Sequence, residues 1–238
     1  MIETSREETT QGETMSLDLA RIKALCFDVD GTLSDTDDQF VENLIAKLSP
    51  FKFLFPDRNP RPFARRVVMA TETPGNAFYG LVDKLGIDDE ISALGDWFYR
   101  RGLGKTPQPF HLVPHVKEML TSVGKDYPMA IVSARGGKST QRFLEQFEIS
   151  ELFQCVATAQ TCEHTKPYPD PILWAAEQMG VAPTECLMIG DTTVDIKAAR
   201  AAGAQSVGVL CGFGEKDELL EAGADLILDE TSELMRVL

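Results

Sequence analysis

Basic residues are scarce in this chain of 238 residues: 23 lysines and arginines stand against 37 aspartates and glutamates, for a formal net charge of −14. An average surface of that sign repels a phosphate backbone, and no local basic patch stands out to overcome it, so nucleic acid is excluded as a partner. Cysteine is sparse as well. Cys26, Cys155, Cys162, Cys186 and Cys211 are odd in number, scattered and without a C-x-x-C pair. That excludes a disulfide framework and a zinc knuckle, and reads as reduced, mostly buried thiols of a cytoplasmic protein. No run approaches the roughly 18 apolar residues of a membrane span, so no membrane partner is expected. Residues 1–16, rich in Glu, Thr and Ser, lack the apolar stretch of a signal peptide. They read as a flexible tail, with Met15 as an alternative start.

What is present is the composition of an ordinary globular protein, 43% hydrophobic and 25% charged. The length suits a core domain with a smaller insertion. Short apolar runs at 22–27, 128–132, 155–157, 186–189, 206–210 and 226–228 predict buried strands. Helical spacing at 116–123, 139–147, 171–179 and 196–202 falls between them. Strands separated by helices imply right-handed crossovers and a doubly wound, Rossmann-like parallel sheet, an α/β fold. Residues 37–107 interrupt the series after its first strand with helical spacing (Phe40, Leu44, Leu48, then 77–85 and 91–99) and a proline- and aromatic-rich stretch over 50–62. This block reads as an inserted all-helical cap, leaving 17–36 and 108–238 as the core domain.

In open parallel sheets ligands lie beyond the carboxyl ends of the strands. The residues expected there are Asp28 and Asp30 after the first strand, Ser133 after the second, Lys166 in the loop after the third and Asp191 after the fourth. Two carboxylates about 4 Å apart repel by roughly 4 kcal/mol at an effective dielectric near 20, so the Asp28–Asp30 pair asks for a cation. Hard oxygen donors suit Mg²⁺, which takes one or two carboxylates, waters and substrate phosphate oxygens. Asp191 completes such a site, and Asp195, one helical turn on, either holds a metal-bound water or orients Lys166. Ser133 offers a hydroxyl beside helix amides that favour anions, and Lys166 a fixed positive charge.

These segments resemble the four motifs of the haloacid dehalogenase superfamily of phosphohydrolases: Asp28-x-Asp30-Gly31-Thr32, Val132-Ser133, Lys166-Pro167-x-Pro169-Asp170-Pro171 and Gly190-Asp191-x-x-x-Asp195. The resemblance implies a Mg²⁺-dependent phosphatase acting on a small phosphorylated metabolite, phosphoglycolate-like or sugar-phosphate-like. Asp28 is then the nucleophile that becomes an aspartyl phosphate, and Asp30 protonates the leaving oxygen and activates water. Asp28, Asp191 and the carbonyl of Asp30 are the implied metal ligands, Ser133, Ala134 and Lys166 the phosphate contacts, and Asp195 an outer-sphere residue. The cap resembles that of phosphoglycolate phosphatases and β-phosphoglucomutases. One departure is Pro114-His115-Val116, where those relatives often carry Pro-Gly-Val.

Taken singly, most of these signals have plainer readings. Ser133 alone is an N-cap hydroxyl, Lys166 a solvated loop charge and Asp195 first-turn helix electrostatics; their joint order is what lifts them. His111 and His115, four apart, read as surface or packing residues. Arg65, Arg66, Arg100 and Arg101 of the cap read first as a solvated face and second as contacts for another substrate anion, and Trp97, Phe98 and Tyr99 as cap core. A phosphomutase is the nearest rival, because the aspartyl phosphate could return to a sugar. A non-catalytic binding or regulatory protein on the same scaffold is the rival of another class. A dehalogenase is disfavoured because it needs neither the second acid nor the metal. Either a monomer or a homodimer accords with the sequence.

Overall fold

A computed structural model of the chain describes residues 17–35, 45–55, 58, 60, 63–64 and 110–238. Six strands form one parallel sheet: β1 (Ala24–Phe27), β2 (Met129–Val132), β3 (Cys155–Ala157), β4 (Cys186–Gly190), β5 (Gln205–Val209) and β6 (Leu226–Leu228), in the order β3-β2-β1-β4-β5-β6. This is the doubly wound order, and its reversal falls between the first and fourth strands, where a crevice opens beyond the strand ends. The crossovers among the described residues carry α1 (Val116–Val123), α2 (Gly137–Gln146), α3 (Asp170–Met179), α4 (Thr193–Ala202) and α5 (Lys216–Ala222).

Both faces of the sheet are buried, so each strand divides its apolar side chains by alternation. Leu25 and Phe27 of β1, Met129 and Ile131 of β2, and Leu187 and Ile189 of β4 point to one face. There they meet Met119 and Leu120 of α1 and Phe143 and Leu144 of α2. Ala24, Cys26, Ala130, Val132, Cys186 and Met188 point to the other, against Ile172, Ala175 and Ala176 of α3 and Ala198 and Ala199 of α4. The first face is built of large side chains and the second mostly of small ones. Small residues let α3 and α4 pack close to the sheet, which brings the loops preceding both helices over the same strand ends.

Element boundaries lie within a few residues of the sequence reading, and the differences have local causes. The first strand begins at Ala24, because Ile22 follows a 3₁₀ turn (Leu19–Arg21) and donates its amide back to Leu19 at 3.2 Å. Helix α4 begins at Thr193, three residues before the expected 196. The Thr192 amide and hydroxyl both donate to Asp195 Oδ2, at 3.0 and 2.7 Å, and cap the first turn. Helix α5 was not anticipated. Its seven residues bury only Leu219 and Ala222, too few to set up a helical apolar repeat. All five cysteines are free thiols, and no helix of the described residues is long and apolar enough to cross a membrane.

Most of the proposed insertion lies outside the described residues, including Phe40, Leu44, the helical readings at 77–85 and 91–99, Arg65, Arg66, Arg100, Arg101 and Trp97, Phe98 and Tyr99. Within the described part, residues 45–48 are helical and Ser49–Leu54 form a 3₁₀ helix in the proline- and aromatic-rich stretch. Ile45, Leu48 and Ala64 pack on Phe213 of the core. His115, exposed at the N-cap of α1, has φ 62°, in the left-handed region where glycine has no penalty. A side chain there costs about 1–2 kcal/mol, while glycine loses about 0.5–1 kcal/mol more backbone entropy on folding. His115→Gly should therefore stabilise the chain by up to about 1 kcal/mol, read as a higher urea midpoint with an unchanged slope. A lower midpoint would show that the histidine makes a compensating contact.

Candidate active site

The residues at the strand ends meet where the strand order reverses. Asp28 follows β1 and donates its amide to Ile189 O of β4 at 2.9 Å, so the chain is still held to the neighbouring strand as it leaves the sheet. Asp191 follows β4 directly. Oxygens of Asp28, Asp191 and Asp195 lie within 4.8 Å of one another, and all three residues are buried. The two carboxylates at 28 and 191 thus stand close enough to share an ion.

Lys166 reaches this cluster from the loop after β3. Its side chain is 3% exposed, with Nζ 2.8 Å from Asp28 Oδ1 and 2.5 Å from Asp195 Oδ1. Both oxygens of Asp195 are engaged: Oδ1 accepts the lysine, and Oδ2 accepts the amide and hydroxyl of Thr192. Of the two roles considered for Asp195, these contacts are those of a residue orienting Lys166. Asp191 Oδ2 accepts the Phe213 amide at 2.9 Å, and its Oδ1 the Thr32 hydroxyl at 3.3 Å. Two glycines make these approaches sterically feasible. A Cβ on Gly190 would collide with the Asp195 side chain, and one on Gly212 with the Asp191 carboxylate.

The remaining expected residues make other contacts. Ser133 leaves β2 buried, its amide bonded to Ala157 O at 2.9 Å and its hydroxyl accepting the Arg135 amide at 3.1 Å. Ala134 sits between them at the start of the loop to α2. The Asp30 side chain is not a member of the three-carboxylate cluster; it pairs with the guanidinium of Arg135. His111 and His115 are both exposed and belong to no group of three candidate ligands among the described residues. Three contributions to the site were not expected from sequence, those of Arg135, Thr32 and Phe213. Thr32 was visible inside the D-x-D-G-T segment, and Arg135 two places after Ser133. The Phe213 contribution is a backbone amide, which carries no residue-type signal.

The donors are all hard oxygens, in a buried acidic cluster whose one lysine neutralises only part of its charge. That chemistry fits a divalent cation of the Mg²⁺ type better than a soft metal. Burial pushes the Asp28 carboxyl from 3.8 up to about 7; Lys166 opposes the shift, and the charges of Asp195 and Asp30 add to it. Burial by itself would depress Lys166, but the Asp195 and Asp28 carboxylates outweigh it and hold the ammonium above its usual range. The ammonium is therefore a permanent charge at neutral pH.

The Asp28 shift has a consequence for stability. A folded-state pKa above the unfolded value gives a contribution that is whole below 3.8 and is lost as pH rises through about 7. Without divalent metal, Asp28→Asn should gain thermal stability relative to wild type as pH is raised across that window, and the difference should level off above it. Added Mg²⁺ should then favour the wild type. A melting-temperature difference that does not vary with pH would contradict burial as the dominant influence on this carboxyl.

The sequence profile of the haloacid dehalogenase-like hydrolases matches residues 25–209. Phosphoglycolate phosphatase of Shigella boydii serotype 4 is 30% identical over 157 residues, 66% of this chain and 62% of that protein, so the match spans less than two thirds of that relative. Phosphoglycolate phosphatase of Photobacterium profundum is 33% identical over 230 residues, covering 91% of this chain and 95% of that one. Among solved structures, a haloacid dehalogenase-like hydrolase from Streptococcus pneumoniae matches with a TM-score of 0.64 at 23% identity, over 92% of this chain and 99% of that one. A hydrolase from Pseudomonas syringae gives 0.61 at 24%, over 90% and 97%. At these identities the structural likeness is one of fold.

Proposed function

The chain belongs to the haloacid dehalogenase-like hydrolase family, and we propose that it hydrolyses the phosphate monoester of a small phosphorylated metabolite through a phospho-aspartate on Asp28, with Mg²⁺ as the bound cation. The observation that carries this reading is the convergence of Asp28, Asp191 and Lys166 at one rim of the sheet. The phosphoglycolate phosphatases among its relatives make a phosphoglycolate-like ester the first candidate substrate. The core domain is assigned to 17–36 and 108–238, and the cap, which would shield the reaction from bulk water, to 37–107.

Asp28 Oδ1 faces Lys166, and the other oxygen is the assigned nucleophile. It attacks phosphorus, the phosphorus–oxygen ester bond breaks, and Asp30 gives its proton to the departing alcohol. Asp30 then takes a proton from water, whose oxygen attacks the aspartyl phosphate, releasing phosphate and restoring Asp28. Lys166, the Ser133 hydroxyl and the Ala134 amide bind the transferring phosphoryl oxygens. The carboxylates of Asp28 and Asp191 and the Asp30 carbonyl would hold Mg²⁺, whose charge would let an anionic ester approach an anionic nucleophile. Asp195 acts through Lys166, fixing where its ammonium lies. Uncatalysed phosphate-monoester hydrolysis is among the slowest reactions, with enzyme accelerations up to about 10²¹, and fixed charges aimed at the phosphoryl group are the main means of reaching them.

A panel of phosphorylated metabolites, assayed for released phosphate with Mg²⁺ and again after chelation, tests the reading. Wild type should turn over at least one small ester only with the metal. Asp28→Asn should lose activity by more than about 10³-fold while keeping its circular dichroism spectrum, as expected when a covalent nucleophile is removed. Near-normal turnover by that variant would remove the nucleophile assignment. Dependence on a bisphosphate primer, with isomerised rather than dephosphorylated product, would reassign the chemistry to phosphoryl return.

A further inference from the structure

We propose that Arg135 is the positioning residue for Asp30, an inference that rests on the acid–base role proposed for that aspartate. The guanidinium takes both carboxylate oxygens: Nε donates to Asp30 Oδ2 at 3.0 Å and Nη2 donates to Oδ1. A planar fork of this kind fixes the plane of a carboxylate as well as its place, which a lysine ammonium does not. Asp30 needs such a constraint. Its side chain is about one third exposed on a loop that has left the sheet, where an unheld aspartate would spread over several rotamers.

The arginine is itself held. Its side chain is 10% exposed, and Cζ stands 4.9 Å from the ring centroid of Phe110 and 5.7 Å from that of Phe143. The two rings meet edge to face at 5.8 Å, and Phe143 is fully buried in α2. The Phe110 backbone is bound on both sides by Gln146 of α2, whose Oε1 accepts its amide and whose Nε2 donates to its carbonyl. The guanidinium thus sits in a two-ring cradle anchored to a core helix. Through its backbone, Arg135 donates to Ser133 Oγ at 3.1 Å. One short loop after β2 therefore carries both a hydroxyl for the phosphoryl group and the fork that aims the proton donor. Two residues of backbone set the spacing between them. For proton transfer Oδ1 leaves Nη2 and takes up a proton from solvent, which it gives to the leaving oxygen, while Oδ2 stays on Nε.

Leaving-group dependence separates this role from a structural one. Protonation of the leaving group matters for an alkyl phosphate and little for p-nitrophenyl phosphate, whose phenolate departs unaided. The variants Arg135→Ala, Arg135→Lys, Asp30→Asn and the double Asp30→Asn/Arg135→Ala are compared by kcat/KM on p-nitrophenyl phosphate and on the best alkyl ester of the metabolite panel. General acid catalysis is typically worth 10²–10⁴-fold, so Arg135→Ala should lose about 10²-fold on the alkyl ester and less than about tenfold on the aryl ester. Asp30→Asn should show the same contrast, the double variant should fall no further than Asp30→Asn, and Arg135→Lys should recover part of the loss. Should Arg135→Ala fold poorly, Arg135→Lys carries the comparison, with a smaller contrast of the same sign. Equal losses on both esters, or a rise in KM alone, would make Arg135 a substrate anchor and overturn the proposal while leaving the Asp30 role intact. If Asp30→Asn itself shows no contrast, the acid–base role fails and takes the proposal with it.

Discussion

Three carboxylates and one ammonium share a buried site in this protein, and the rest of the structure is arranged so that they can. Asp28, Asp191 and Asp195 lie within one ion's reach of each other, and Lys166 touches two of them. Removing so much charge from water is costly unless each group is paired and hydrogen-bonded. The protein meets that requirement with fixed donors: the Phe213 amide and Thr32 hydroxyl for Asp191, and both donors of Thr192 for Asp195. What remains is a net negative pocket beside a permanent positive charge. Such a place suits a divalent cation and, with that cation bound, a phosphoryl dianion.

The scaffold explains why these groups stay together. Parallel strands end side by side, so the residues after β1 and β4 are neighbours although far apart in sequence. The face covered by α3 and α4 is lined mainly by alanine and cysteine, and it lets the helices approach with their preceding loops in register over the strand ends. Gly190 and Gly212 supply the last space, since a β-carbon at either would occupy a carboxylate's place. Phe213 links this arrangement outward. Its amide holds Asp191, and it packs against Ile45, Leu48 and Ala64. The Arg135 cradle repeats the pattern on the opposite side of Asp28, with a core helix holding rings that hold a cation that holds a carboxylate.

How far this could be read from sequence depended on the range of the interaction. Strands announce themselves as short apolar runs, and the runs at 155–157 and 226–228 coincide with β3 and β6 residue for residue, although these two lie at the sheet edges and are only partly buried. The parallel sheet, and the meeting of residues at its rim, follow from strands that alternate with helices, whereas the strand order needed the structure. Helix α5 escaped because seven residues with two buried side chains show no period. The early start of α4 was legible in principle, since Thr192 and Asp195 have capping-box spacing and Asp195 already reads as a first-turn residue. The Arg135–Asp30 contact joins residues 105 positions apart through side chains, and neither periodicity nor a motif reports such a meeting. The left-handed backbone at His115 falls in the Pro114-His115-Val116 segment singled out in the sequence as a departure, a hint whose meaning needed the dihedral angle.

The central physical claim is that the carboxylates at 28 and 191 share a single cation. Titrating the metal-free protein with Mn²⁺, followed by the loss of the free-ion paramagnetic resonance signal, tests it most directly. One site per chain is expected, displaced by Mg²⁺ and weakened by about 10-fold or more in Asp191→Asn, on the scale of losses from disturbing a metal's immediate surroundings. Unchanged affinity in an Asp28→Asn/Asp191→Asn double variant would contradict it, because the ion would then lie elsewhere and the site at the sheet rim would hold none.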